Sequence, residues 1–226
     1  MLRRVGPYDT FLTLRAIGRV LRDSNRTRDI HTVEEVTGRT IMTDLGRALR
    51  KTDEGRALLD AQPELNRLQV DYDGLRAMAD GTLGRAYVHH LDSNGITADL
   101  QALPVTHVQD TDAAYLLRRF RQTHDVWHAL VALRTQPHEE IVIHAFSYGQ
   151  LRLPVSALVL LFGSAKHLVL EKRWGALRYA LREAYENGRA AAPLLPVWWE
   201  KMWAEPLDAV RARYGVRPCS PELVAG

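Results

Sequence analysis

The chain has a single cysteine, Cys219, among 226 residues. It therefore forms no internal disulfide, and a reducing compartment is its expected home. Long apolar runs are also missing. The strongest, Leu153 to Gly163, is interrupted by Pro154 and Ser156 and falls short of the roughly 20 residues that a spanning helix needs. The two early arginines, Arg3 and Arg4, are followed by neither a long apolar core nor a small-residue cleavage site, so no secretion or transit signal is expected. There is no internal repeat, low-complexity block or Gly-rich phosphate loop, and strand signals are sparse. No strong excess of one charge exists either. The net charge of +3 is too small to predict nucleic-acid binding, although a pI near 9.1 suits anionic lipid head groups or an acidic substrate.

What remains is a globular composition, 46% hydrophobic and 25% charged, which argues against disorder and for one substantial core. The expected fold class is all-α: a single-domain multi-helix bundle over residues 1–226, with a mobile tail after about residue 216. Phe11, Leu14, Ile17 and Leu21 mark a first packing helix, ended near Asp23-Ser24-Asn25. Thr32 with Glu35 reads as a capping box opening a second. Thr52-Asp53 opens a third, short of Pro63. From Tyr72 to Leu91 the pattern is helical, with Gly81 and Gly84 permitting a break and Asn94-Gly95 a stop. The glycines there favour tight packing, with Arg85 and Tyr87 as candidate substrate contacts. Leu100 to Asp110 reads as a linker. Leu153-Pro154 starts an apolar helix reaching Lys166, suited to a core or to a lipid tail, and Arg173 to Glu186 is amphipathic with Asn187-Gly188 as its stop. Trp198, Trp199, Met202 and Trp203 begin a closing helix that docks on the body or sits at a membrane interface.

The chemistry concentrates at residues 124 to 140. Thr111-Asp112 opens a helix on which Leu117, Phe120, His124, Trp127, His128 and Val131 share one stripe, and Gln136-Pro137 ends it. Buried imidazoles need partners for both ring nitrogens, and two histidines at i and i+4 place two such nitrogens where one ion can be gripped. Asp125, at the flank, can reach that ion or hold one of its ligands. Glu140 arrives from the first turn of the next helix and can close the set, while Glu139 points about 100° away. His144 and Ser147 fall on the face of Glu140; for His144 a hydrogen-bonded neighbour is at least as good a reading. A zinc protease is disfavoured because Asp replaces the longer Glu that such a motif uses as base. An HD-type phosphohydrolase is a minor alternative, for which His89 or His90 can be nominated only loosely as the further histidine.

HDVWH at 124–128, with Glu140 eleven residues on and running into EIVIHAFSYGQLRLPVSALVLLFG, resembles the signature of the coenzyme Q biosynthesis protein 4 family. GTLGRAYVHHLDSNG at 81–95 and AYENGRAAAPLLPVWWEKMWAEPLDAVRARYGV at 184–216 extend the resemblance over most of the chain. The resemblance implies a divalent metal, zinc favoured with iron(II) or manganese as alternatives, held by His124, Asp125, His128 and Glu140, with catalytic roles for Asp125 and Glu140. It also implies a prenylated benzoquinone precursor or other isoprenoid lipid as ligand, and removal of the C1 carboxyl from a prenylated 4-hydroxybenzoate-derived intermediate, with or without hydroxylation there. The expected setting is cytoplasmic and peripheral to the inner face of a membrane, with homo-oligomerisation, other quinone-biosynthesis proteins as partners and no nucleic acid. The competing class is a non-catalytic prenyl-lipid carrier or scaffold.

Overall fold

The computed structural model describes residues 6–22, 27–97, 104–166 and 174–220. Among them are ten α-helices and no strand: α1 Pro7–Arg22, α2 Thr27–Leu49, α3 Asp53–Ala61, α4 Tyr72–Arg76, α5 Leu83–Asn94, α6 Thr111–Val131, α7 Pro137–Leu151, α8 Pro154–Lys166, α9 Trp174–Ala190 and α10 Leu207–Tyr214, with a 3₁₀ turn at Trp199–Lys201. They share one hydrophobic core.

α6 is the axis of that core. Asp110 caps its first turn by accepting from the Ala113 amide, and from Phe120 to Val131 every residue except His124 is buried. A helix buried on all sides is normally apolar on all sides; this one instead carries polar groups that are paired. Arg119 bonds the Pro63 and Val197 carbonyls and the Glu200 carboxylate. Arg121 reaches Glu34 at 3.0 Å and Glu35 at 2.8 Å on α2. Gln122 Oε1 accepts from the Leu65 amide. A single amphipathic stripe does not foresee this, because it assigns the two arginines to solvent.

Several boundaries differ from expectation. α2 begins before Thr32, whose hydroxyl donates to the Arg28 carbonyl inside the helix. Glu35 is no cap residue: its Oε2 accepts the amides of Thr106 and His107. α6 ends at Val131, before Gln136-Pro137, through Ala132 in the left-handed region (φ 58°). α9 runs past Asn187-Gly188 to Ala190 because the Asn187 side chain bonds the Arg217 backbone. Gly188 serves a crossing instead: an added Cβ would lie 2.2 Å from the Phe146 carbonyl on α7. The expected closing helix is only the 3₁₀ turn followed by α10, and its aromatics are docked. Trp199 is fully buried and Trp203 stacks on Tyr87 at 5.3 Å. Tyr87 is thereby packed inside the core, and Arg85, part-exposed, is paired with Asp80. The chain stays attached after residue 216, since Cys219 is buried and its amide bonds the Val131 carbonyl; residues 221–226 lie outside the described set.

α1 and α8 both leave apolar surface uncovered. On α1, Ala16 is buried and Ile17 packs on the core, but Tyr8, Phe11 and Leu14 face outward. α8 is only in part a core helix: Val155 and Ser156 are buried and Leu158 and Leu160 pack on the core, whereas Leu161 is 63% and Phe162 39% exposed. Among the described residues no helix is long and apolar enough to cross a membrane.

Candidate metal centre

The centre forms where α6 meets the first turn of α7. Pro137 occupies the start of α7, where its missing N–H costs nothing. Glu139 turns back to accept from the Gln136 amide at 3.4 Å and lies 3.8 Å from Arg134. The cap thus occupies Glu139 and leaves Glu140, about 100° further round, to face α6. Its carboxylate oxygens stand 3.5 Å from His128 Nε2 and 3.7 Å from His124 Nε2.

The two Nε2 atoms are 3.2 Å apart, with ring planes at 79°. Donors at about 2.0–2.1 Å from a shared tetrahedral ion would be separated by about 3.3 Å. His128 Nδ1 lies 3.3 Å from the Leu133 carbonyl. Donation there would fix the tautomer and leave the Nε2 lone pair pointing inward. The ligand atoms of His124, His128 and Glu140 all lie within 4.8 Å of one another. The donor set therefore fits one divalent cation. His128 is fully buried while Glu140 keeps a third of its side-chain surface exposed, so the centre opens toward solvent on the α7 side.

Electrostatics bind the three residues into a unit. Burial alone would raise the Glu140 carboxyl, but the two imidazoles outweigh it and hold it well below the usual range. Burial draws His124 down, yet Glu140 and the nearby Asp125 and Glu34 carboxylates reverse this and leave it raised. His128 is lowered by burial. His144, whose ring centre is 5.6 Å from that of His124, is pushed down to about 3 by burial. Its Nδ1 meets Ser156 Oγ on α8 at 3.4 Å.

Asp125 is not one of these three: its Oδ1 lies 3.7 Å from His90 Nε2 on α5, and its charge also reaches His124. Sequence reasoning missed the wider polar shell. His90 packs flat against His128, with ring centres 4.8 Å apart. Glu34, pushed up to about 7 by burial against the pull of Arg121, is close enough to His124 for their charges to interact. The available signal was the buried-arginine requirement: two glutamates in sequence, Glu34-Glu35, match one guanidinium.

The family model described as coenzyme Q (ubiquinone) biosynthesis protein Coq4 matches residues 9–220. The mitochondrial ubiquinone biosynthesis protein COQ4 homologue of Bos taurus is 34% identical over 203 residues, covering 88% of this chain and 74% of its own. That of Xenopus tropicalis is 33% identical over 191 residues, covering 84% and 67%. A crystal structure from Nostoc punctiforme superposes with a TM-score of 0.71 at 25% identity, covering 91% of this chain and 97% of that one. The helical fold, the HDVWH helix and the match across nearly the whole length agree: the chain belongs to the Coq4 family of coenzyme Q biosynthesis proteins.

Proposed function

We propose that the chain removes the C1 carboxyl from a prenylated 4-hydroxybenzoate-derived intermediate, using a divalent cation held by His124, His128 and Glu140. The observation that carries this reading is the convergence of two Nε2 atoms 3.2 Å apart on one carboxylate that is open to solvent. A bound cation would supply Lewis-acid stabilisation of charge on the substrate's head group. The protein's own groups do the rest. Glu140 stays ionised and offsets positive charge, and His144, neutral in its buried position, leaves a polar edge beside the opening. Ser156 ties that edge to α8, whose exposed Leu161 and Phe162 suit a prenyl tail or a lipid surface. Other quinone-biosynthesis proteins and a further copy of this chain are the proposed partners, at the inner face of a membrane.

The same exposed α8 favours a second reading, a prenyl-lipid carrier in which the ion only stiffens the helix pair. Expression of Glu140→Gln in cells that lack their own C1-decarboxylating protein separates the two. With helicity and lipid content verified, the catalytic reading expects the carboxylated prenyl intermediate to accumulate. Wild-type quinone levels from a folded, metal-free variant would rule it out in favour of the carrier.

A further inference from the structure

Glu140, His144 and Ser147 stand at i, i+4 and i+7 on α7 and so share one face. Glu140 serves the histidines of α6. One turn on, the His144 ring centre lies 5.6 Å from that of His124, with 40° between the planes. Its Nδ1 meets Ser156 Oγ on α8 at 3.4 Å, and Ser156 is fully buried. His144 itself is only half-buried. The side of the ring that solvent reaches is therefore the one away from Ser156, the Nε2 edge, which has no hydrogen-bond partner among the described residues. Ser147, the next side chain on that face, is fully buried, so His144 is the last polar group of the row that an entering ligand meets. Ser156 Oγ has no other partner among the described residues. Its hydroxyl proton therefore goes to Nδ1, and the ring's own proton sits on Nε2. Were the ring to gain a second proton, Nε2 would keep its N–H.

We propose that His144 is a specificity residue: its Nε2–H donates to the ring oxygen of the substrate's head group. The inference deepens the decarboxylation reading above and rests on it. In a 4-hydroxybenzoate-derived head group the carboxyl and the ring oxygen lie at opposite ends of the ring. A donor about one helical turn, roughly 5.4 Å, along α7 from Glu140 is placed for an oxygen other than the one that the centre takes. The buried Ser156 holds the imidazole from behind, so little side-chain freedom is lost when the ligand arrives. A site built to hydrogen-bond a ring oxygen also rejects the analogue that lacks one, because its donor is then left unpaired. His144 thereby selects the head group, while the exposed Leu161 and Phe162 of the same α8 suit the tail.

The test measures the binding of two probes to the full chain by calorimetry: geranylated 4-hydroxybenzoate and the same molecule without its ring hydroxyl. The proposal expects the wild-type chain to favour the hydroxylated probe by about tenfold, the upper range for one hydrogen bond. His144→Phe, which keeps a flat ring and loses the donor, should remove that preference by weakening the hydroxylated probe alone. His144→Gln, whose amide nitrogen can stand where Nε2 does, should recover part of it. Equal weakening of both probes in His144→Phe would make the residue merely structural and overturn the proposal, as would a wild-type chain that binds both probes equally. A wild-type chain that binds neither would defeat the head-group reading itself, and the proposal with it. A second arm needs no ligand and stays decisive where His144→Phe does not fold. Imidazole 15N shifts of the free wild-type chain should show the His144 proton on Nε2, and Ser156→Ala should mix the two tautomers. A proton held on Nδ1 in the wild-type chain would overturn the assignment of the donor.

Discussion

His124 carries the clearest consequence of burying titratable groups together. Its raised pKa means that below neutrality a cation must displace a proton from it, so binding should release protons and weaken on acidification, approaching tenfold per pH unit once His124 is protonated in the free protein. Calorimetric titration with zinc in two buffers of different ionisation enthalpy checks this; an affinity independent of pH from 5 to 8 would count against His124 as a ligand. The non-ligand His31 tells a different story. Burial, with Arg121 adding to it, lowers its pKa to about 4. A depressed folded pKa means that the unfolded chain takes up its proton first, near pH 6.5. Stability is therefore full above pH 6.5 and declines as the pH falls toward about 4. In metal-free protein, His31→Gln should flatten the denaturation midpoint over that window relative to wild type. Arg121 is the third residue of this shell. With Glu34 and Glu35 both buried against it, Arg121→Met takes the guanidinium from Glu34 and leaves Glu35 only the Thr106 and His107 amides, and should cost about 3–5 kcal/mol in denaturant unfolding. A loss below about 1 kcal/mol would mean that the glutamates find other partners.

The helices show which physics the sequence exposes. The α7–α9 crossing depends on two glycines, since a Cβ on Gly149 would lie 2.5 Å from the Tyr185 carbonyl and one on Gly188 2.2 Å from that of Phe146. These neighbours are backbone, which cannot swing aside. Gly188→Ala should therefore destabilise by about 1–3 kcal/mol, whereas Gly18→Ala on α1, with nothing within 4 Å, should stabilise by about 0.5–1 kcal/mol. Equal melting shifts for both would contradict the crossing. Gly188 also explains why a stop signal misled: Asn-Gly ends a helix only when no neighbour supplies partners, and here α7 and the Arg217 backbone do. Boundaries set by local chemistry, such as Thr52 capping α3 and Gly95 ending α5, were legible. So were the i, i+4 pair of histidines and the arrival of Glu140. What depended on tertiary partners was not: Arg119 and Arg121 look like surface residues until Glu200, Glu34 and Glu35, distant in sequence, come to meet them. For α8 composition left two readings, core or lipid tail, and the bundle divides them: Val155, Leu158 and Leu160 pack inward while Leu161 and Phe162 stay outside.

At the scale of the whole molecule, a polar centre at the α6–α7 junction adjoins a helix whose apolar surface is uncovered, and the family places the chain in coenzyme Q biosynthesis. The account stands on the ion. Purified wild-type chain, analysed by elemental mass spectrometry alongside a folded His124→Ala, His128→Ala double variant, tests this most directly. The account predicts about one divalent ion per wild-type chain and almost none in the variant, because the pair of imidazoles supplies two of the three donors. Full occupancy in the double variant would contradict it.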